Sequence, residues 1–237
     1  MSKVLVLILA ASVALAFIAP VAGGSATLAG SVLVLTSVLL GTVIQRALRR
    51  HDELHKWVAI ELNKVRRVYH LGRNLGLEAK HRQWFTDLHG FVYAYLTAFD
   101  KKRFSQYQET NAAFRKLSYH LYQIPSLDSE KERVLYADLL EAAGLVAGAR
   151  QRIQELWNGG LPSTVWYVLI AISGAAAAAI LSAMGPSDRF TAALALIALF
   201  SVFALARKAD DLRNLVGEDL TKKYVENLAR LEMKREG

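Results

Sequence analysis

The chain has 237 residues, of which 53% are hydrophobic and 21% are charged, and its formal net charge is +8. The apolar residues are concentrated in four stretches of 17 to 22 residues, and these stretches contain no Asp, Glu, Lys, Arg or His. A helix rises 1.5 Å per residue, so each stretch matches a hydrocarbon core of about 30 Å. This pattern excludes a soluble enzyme and predicts four membrane-spanning helices: Val4–Ala22, Ala26–Gln45, Ser163–Met184 and Phe190–Ala206.

The first of these stretches also has features of a secretory signal. Lys3 precedes the apolar run, and small residues occur near Ala22. The run is long for a signal core, so we expect a retained span. Its removal would leave the orientation of the other three spans unchanged.

The charged residues lie almost entirely outside the spans. Residues 46–160 contain 19 Lys and Arg against 13 Asp and Glu, whereas the short hairpins Gly23–Ser25 and Gly185–Arg189 carry only Asp188 and Arg189. Basic residues favour the cytoplasmic side of a membrane. We therefore expect the central region and both termini to be cytoplasmic, with the chain in the cell (inner) membrane. This distribution explains the net charge, and nucleic acid is not an expected partner.

The second span is predicted to continue beyond the membrane as one long helix. Apolar residues from Ile44 to Tyr69 recur every three or four positions, which is helical spacing. The helix is predicted to end near Gly72 or Gly76. No part of the sequence between the second and third spans indicates a sheet.

Three further helices are predicted in the central region, over residues 78–99, 104–123 and 129–157. Ser129 and Glu132 have the spacing of a capping box, which begins the last of these helices. Asn158-Gly159-Gly160 ends it, and Pro162 then begins the third span. The predicted fold is an all-α membrane protein with four transmembrane helices and a cytoplasmic helical bundle between the second and third spans.

The predicted domains follow from this order of elements. They are a first transmembrane hairpin, a cytoplasmic helical region, a second transmembrane hairpin and a cytoplasmic amphipathic tail, at residues 1–45, 46–160, 161–206 and 207–237. The charges of the tail are nearly balanced, with 8 Lys and Arg against 7 Asp and Glu. We therefore expect its apolar face to dock on protein and not on an acidic membrane surface.

No motif in the sequence indicates catalysis. His51 and His55 have the i, i+4 spacing that allows two histidines to share a metal, but Asp52 and Leu54 occupy the positions where zinc proteases have glutamate. We interpret this string as a solvated helix face. The chain has no cysteine and no glycine-rich phosphate loop. We predict no enzyme activity, no metal site and no cofactor.

One face of the second span has the pattern of a pore lining. At 100° per residue, seven residues fall within about 60° of one line, in the order polar, apolar, polar. Such an order suits wetted vestibules on either side of a narrow apolar gate, here expected at Val34–Val38. The predicted pore-lining residues are Thr27, Ser31, Val34, Leu35, Val38, Thr42 and Gln45.

Arginines follow this face at its cytoplasmic end. Arg46, Arg49 and Arg50 are predicted to form a cytoplasmic mouth at which positive charge concentrates anions. The same arginines satisfy the positive-inside rule, and hydroxyl residues are common in buried spans, so ordinary helix packing is the alternative interpretation. The absence of charge within the spans argues against a pump or coupled transporter, whereas a passive pore needs no such charge.

Two short motifs resemble those of a known family. Arg150-Gln151-Arg152, followed by the segment Leu161–Trp166, resembles the arginine-rich helix and Leu-Pro start of the third span in prokaryotic bestrophin-like proteins. Asn214–Asp219 is similar to the Asn-Pro-Phe-Gly-Glu-Asp segment that follows the last bestrophin span. Together with the order of spans, these motifs make the chain resemble the bestrophin superfamily, in particular its prokaryotic branch.

The resemblance implies a homopentamer with an anion-conducting central pore. Leu215 and Val216 replace the Pro-Phe pair of the family segment, and Leu220 and Thr221 interrupt the acidic run that binds calcium in animal bestrophins. The resemblance therefore does not imply a calcium site here.

The sequence supports two hypotheses of different classes. The first is a homo-oligomeric ion channel that prefers anions such as chloride and is lined by the second span. Its partners are the lipid bilayer, other copies of the chain, with a pentamer favoured, and small anions. The alternative is a non-conducting, membrane-anchored scaffold whose cytoplasmic helical bundle binds a protein partner.

Overall fold

The computed structural model describes four ranges of the chain: 26–102, 104–183, 188–211 and 218–227. Every regular element within these ranges is helical, so the predicted all-α class is confirmed there. Several predictions fall outside the described residues. They concern the first span at Val4–Ala22, the hairpin Gly23–Ser25, residues 185–187 of the second hairpin and residues 214–217 of the motif in the tail.

Helix α1 runs without interruption over Ala26–Leu75. Its first part is the second predicted span, and the charged sequence after Gln45 continues the same helix, as the apolar spacing predicted. The helix ends one residue before Gly76. A Cβ atom at Gly76 would lie 2.5 Å from Cβ of Phe85, so a residue without a side chain is needed where the chain turns past the next helix.

Two helices that follow differ from the prediction. A 3₁₀ turn, Ala79–His81, precedes α2, Arg82–Lys102, although a helix was predicted from Glu78. The helix predicted over residues 104–123 is divided into a 3₁₀ segment, Phe104–Thr110, and α3, Asn111–Leu121.

The predicted third helix is divided where the backbone departs from helical values, at Gln106, with φ −106° and ψ 32°. Close to this point, the Thr110 hydroxyl donates to the Tyr107 carbonyl at 2.6 Å. A bond of the same kind, from Thr42 to the Leu39 carbonyl, occurs within the uninterrupted α1, so this contact accompanies the division and does not account for it.

Helix α4, Glu130–Asn158, begins as predicted. The Ser129 hydroxyl accepts from the Glu132 N–H at 3.2 Å, and the Glu132 carboxylate accepts from the Ser129 N–H at 3.0 Å. This reciprocal pair is the predicted capping box, and it satisfies donors that the first turn of a helix leaves unpaired. The C-terminal cap is Gly159, also as predicted.

The chain forms two compact units. The first comprises Met1–Arg49 and Gly160–Leu212, and the second comprises Arg50–Gly159 and Arg213–Gly237. In the first unit, the beginning of α1 packs with α5, Ser163–Ala183, and α6, Arg189–Asp210. Small residues in the core allow α5 and α6 to approach closely; they include Ala176, Ala177, Ala192 and Ala193.

Three stretches of the described chain are long and apolar enough to cross a membrane: Gly30–Leu75, Glu130–Ala183 and Arg189–Asp210. The first two include most of the second and third predicted spans, and the last contains the whole of the fourth. The count of four spans stays a prediction, since the first lies outside the described residues.

The second unit has an aromatic core. Phe99 stacks on Tyr224 with ring centroids 3.7 Å apart, and the Phe104 ring lies edge-on to Trp157 at 4.9 Å. Tyr224 belongs to the C-terminal segment, which is residues 218–227 and is helical. The prediction that the tail docks on protein is thus confirmed for these ten residues.

Candidate functional site

The predicted pore face of α1 is the exposed side of the helix in the first unit. Thr36, Leu40, Val43 and Ala47 are buried on the opposite side, and Leu40 and Val43 belong to the apolar core formed with α5 and α6. The exposed side carries six of the seven predicted pore-lining residues: Ser31, Val34, Leu35, Val38, Thr42 and Gln45. Thr27 lies in the first turn of α1, and its side chain is outside the described part of the structure.

The three apolar residues at the predicted gate are largely exposed. The exposed fraction is 64% for Val34, 55% for Leu35 and 57% for Val38. Exposed aliphatic residues in the middle of an apolar helix need either lipid, another subunit or a pore around them. Ser31 and Thr42 lie on the same exposed side.

The hydroxyl groups near the gate are bonded within the helix. Thr42 Oγ1 donates to the Leu39 carbonyl at 2.7 Å, and Ser37 Oγ donates to the Leu33 carbonyl at 2.8 Å. These side chains therefore satisfy their own donors and present oxygen lone pairs to the exposed side.

The three predicted mouth arginines fall into two groups. Arg46 and Arg49 are exposed and have no hydrogen-bond or ion-pair partner among the residues that the structure describes. Arg50 is only 8% exposed, and its guanidinium Nη1 donates to the Gly159 carbonyl at 2.5 Å. Arg50 thus stabilises the C-terminal end of α4, where a cation is favoured by the orphan carbonyls and the helix dipole.

A second polar cluster was missed by the sequence analysis and lies in the core of the second unit. Glu61 of α1 is fully buried, and its carboxylate accepts hydrogen bonds from three tyrosines and one arginine. The bond lengths are 2.7 Å from Tyr107 Oη, 2.6 Å from Tyr224 Oη and 3.2 Å from Arg150 Nη1, and Tyr95 Oη is also in contact. We call these five residues the Glu61 cluster.

The Arg150 guanidinium is bonded on its other side as well. Its Nη2 donates to Thr110 Oγ1 at 3.0 Å and to Asn111 Oδ1 at 2.7 Å. The cation also lies 4.6 Å from the ring centroid of Tyr107 and 4.8 Å from that of Phe114. These contacts, together with Glu61, compensate the burial of a charge that would otherwise be strongly unfavourable.

The tyrosines of the Glu61 cluster are neutral donors. Burial, followed by the charge of Glu61, raises the pKa of Tyr95, Tyr107 and Tyr224 well above the ordinary value of 10.0. The cluster joins α1, α2, the 3₁₀ segment, α4 and the C-terminal segment through one carboxylate. Its chemistry is that of a structural junction, because its polar groups bond to one another or, through Arg150 Nη2, to Thr110 and Asn111.

The two histidines with metal-ligand spacing are adjacent but do not form a metal site. The ring centroids of His51 and His55 are 4.5 Å apart. Nδ1 of His55 faces the ammonium group of Lys223 at 2.6 Å. Within the described ranges, no group of three or more His, Cys, Asp or Glu side chains is arranged to hold a metal ion.

The family model of the bestrophin-like domain matches residues 4–206 of this sequence. This match covers most of the chain, and it agrees with an all-helical fold that has apolar helices long enough to span a bilayer. The protein is therefore a helical membrane protein. It belongs to the bestrophin-like family, as its two short motifs and order of spans indicated. A comparison with curated proteins found no match.

Solved structures show the same fold. A crystal structure of a mutated bacterial bestrophin homologue from Klebsiella pneumoniae matches with a TM-score of 0.73 at 14% identity, over 96% of this chain and 100% of that chain. Another mutated form of that homologue gives 0.71 at 13% identity, over 98% and 99%. A crystal structure described as a mutated membrane protein gives 0.71 at 12% identity, over 96% and 98%. These identities are low, so the likeness concerns the fold.

Proposed function

We propose that the chain is the subunit of a homo-oligomeric ion channel, with a pentamer favoured, and not an enzyme. The observation that carries the proposal is the exposed face of α1. Polar residues lie at both ends of this face and aliphatic residues in its middle, while the opposite side is packed into the first unit. Copies arranged around an axis would place this face along a central pore.

The proposed gate is the aliphatic belt formed by Val34, Leu35 and Val38. A narrow ring of such side chains closes a pore by excluding water, because an ion cannot shed its hydration there without replacement ligands. Ser31 would lie on one side of the belt, and Thr42 and Gln45 on the other, in regions that hold water.

The proposed ion preference is for anions such as chloride. Arg46 and Arg49 follow the pore face and are unpaired within the described residues, so their charge is available to raise the local anion concentration. Arg50 is the third residue of the proposed mouth, and its guanidinium also bonds to the Gly159 carbonyl.

The proposed topology has four spans in the cell (inner) membrane. Residues 46–160 and the tail after residue 206 are on the cytoplasmic side, as the distribution of Lys and Arg favours. The proposed domains are the two transmembrane hairpins at residues 1–45 and 161–206, with the central helical region and the tail in the cytoplasm.

The experiment is halide flux through liposomes that contain the purified full-length protein. Val34→Ala and Val38→Ala widen the proposed gate, so we expect at least a severalfold faster flux than in the wild type. Val168→Ala is the matched control, because Val168 is 56% exposed on α5 and lies off the proposed pore face. We expect no change in flux for this variant.

One outcome would contradict the channel proposal. If the double variant Val34→Ala/Val38→Ala is folded and inserted but passes no more halide than empty liposomes, a closed gate does not explain the absence of flux. The non-conducting scaffold would then be the better account. Equal increases in the Val34 and Val168 variants would contradict the assignment of the pore to α1.

A further inference from the structure

The C-terminal segment contacts α1 through a lysine and a histidine. Nζ of Lys223 lies 2.6 Å from Nδ1 of His55, and the His55 side chain is 21% exposed. An ammonium group has donors only, so this contact requires Nδ1 to be an unprotonated acceptor, with the ring proton on Nε2. The hydrogen bond therefore exists only when His55 is neutral. Both residues lie beyond the predicted span that ends at Gln45.

Three other ionisable groups face this pair. The His51 ring is 4.5 Å from the His55 ring, and Asp219 Oδ2 is 3.8 Å from His55 Nδ1 and 3.9 Å from Lys223 Nζ. Asp52, which is well exposed, is 3.5 Å from His51 Nδ1. The carboxylates favour a charged His55, whereas burial, Lys223 and His51 oppose it. The effects that oppose the charged form are the larger, so the pKa of His55 is lowered from its ordinary value of 6.5.

We propose that the His55–Lys223 contact is a proton-sensitive clasp that loosens residues 218–223 from α1 when the pH falls below neutral. Protonation of His55 places an N–H group opposite the ammonium group of Lys223, with two cations at hydrogen-bond distance. The two side chains, which attract each other when His55 is neutral, then repel each other. Tyr224 remains bonded to Glu61 at 2.6 Å and Asn227 to Arg66 at 2.6 Å. Before Tyr224, the segment is also held by the fully buried Leu220 and by Thr221, whose Oγ1 accepts from the Phe104 N–H at 2.9 Å. The clasp adds to these contacts, and the loosening is confined to the part of the segment before Tyr224.

The direction of the pH dependence follows from proton linkage. Burial, followed by the charge of Lys223, lowers the pKa of His55 in the docked state against the opposing charge of Asp219. Because loosening removes Lys223 and exposes the ring, the docked state binds fewer protons than the loosened state. Docking is fully favoured above the ordinary histidine value of 6.5 and weakens as the pH falls through the lowered pKa. Each unit of pKa difference changes the ratio of docked to loosened molecules by about tenfold.

The test measures the mobility of the segment in the full-length protein. The chain contains no cysteine, so Lys222→Cys provides a single site for a nitroxide spin label. The Lys222 side chain is 75% exposed, and a label there does not displace a packed group. We expect the mobile fraction in the electron paramagnetic resonance spectrum to rise severalfold between pH 8 and pH 5, with a midpoint below 6.5. A spectrum that is constant over this range would overturn the proposal.

Three variants of the labelled protein identify the groups involved. His55→Gln keeps an acceptor for Lys223 but cannot titrate, so its mobile fraction is expected to stay low at every pH. Lys223→Met removes the opposing cation from a partly exposed position and is expected to abolish the pH dependence. His51→Gln is the matched control, which retains the transition at a slightly higher pH because a repelling neighbour is gone.

Two results would refute the clasp. A wild-type transition that persists in both His55→Gln and Lys223→Met assigns the proton to another group. Loss of the transition in His51→Gln alone assigns it to His51. Because the label reports docking and not ion flux, a negative result here is distinguishable from failure of the channel proposal.

Discussion

Replacing Glu61 by glutamine tests whether the Glu61 cluster holds the second unit together. The change preserves the shape of the side chain but removes its charge and turns one acceptor oxygen into a donor amide. Arg150, which is 4% exposed, then lacks its counter-charge, and at least one tyrosine hydroxyl faces a donor. We expect a large loss of stability for a substitution of such similar volume.

The size of the loss follows from the burial of the pair. Removing one partner of a buried ion pair costs about 3–5 kcal/mol, because the other charge is left uncompensated. Hydrogen bonds to charged groups contribute about 1.5–3 kcal/mol each, but these values are not additive within one cluster. We therefore expect Glu61→Gln to cost about 3–5 kcal/mol and to lower the apparent Tm by about 10 °C.

The assay is thermal unfolding of the detergent-solubilised protein, followed by circular dichroism, on a double-mutant cycle. Its members are Glu61→Gln, Arg150→Met and the double variant. Because the two residues share one cluster, the double variant should lose less stability than the sum of the two single losses, by about 1–3 kcal/mol. Additive losses, or a Glu61→Gln protein within about 1 kcal/mol of the wild type, would refute the reasoning.

Three further predictions concern packing, acid stability and ion preference. Gly76→Ala should lower the free energy of unfolding by about 1–3 kcal/mol, since the new Cβ lies 2.5 Å from Phe85 Cβ. In the control Gly90→Ala, the new Cβ meets nothing within 4 Å. Equal Tm values for the two variants would contradict the prediction. The hydrogen bond from Lys80, followed by the Ser129 N–H, lowers the pKa of Glu132 to about 2 from 4.5. Because its pKa is lowered, the ionised Glu132 adds stability above pH 4.5, and this stability is lost as the pH falls to about 2. Glu132→Gln should therefore make Tm less dependent on pH in this acid range. A pH dependence equal to that of the wild type would contradict the prediction. The double variant Arg46→Gln/Arg49→Gln should move the reversal potential in a potassium chloride gradient away from the equilibrium potential of chloride. Arg115→Gln, at an exposed position elsewhere, should leave the reversal potential unchanged. Equal shifts in the two proteins would exclude a role for the mouth arginines in ion preference.

The fold was largely predictable because its signals are local. The uncharged stretches, the capping box at Ser129 and the uninterrupted apolar spacing of α1 each depend on residues within a few turns of one another. The prediction was wrong at the 3₁₀ segment Phe104–Thr110, where the backbone departs from helical values at Gln106. Apolar spacing over seven residues does not distinguish a 3₁₀ segment from an α-helix, because their periods of 3.0 and 3.6 residues per turn place nearly the same residues on one face.

Along α1, the orientation of single residues was harder to predict than the helix itself. Leu48 was counted in the apolar set of this helix, yet it is 57% exposed, while Ala47 and Arg50 are buried. The rest of the predicted face was right, because Leu54, Val58, Leu62, Val65 and Tyr69 are buried, and the phase differs only near Leu48. The Gly159 carbonyl, far away in sequence, accepts a hydrogen bond from Arg50 and helps to accommodate this arginine on the buried face.

The Glu61 cluster shows why the partners of a buried polar group cannot be read from one sequence. Its members are Glu61, Tyr95, Tyr107, Arg150 and Tyr224, and no two of them lie within one turn of each other on the same helix. Glu61 lies on the apolar face of α1, three residues after Val58 and four before Val65, so its position in the helical period indicates burial, but nothing local identifies its partners. Burial becomes favourable only when four donors from separate elements converge on one carboxylate. Tertiary structure thus explains the three tyrosines of the cluster, since each supplies both an aromatic ring to the core and a donor to the same buried charge.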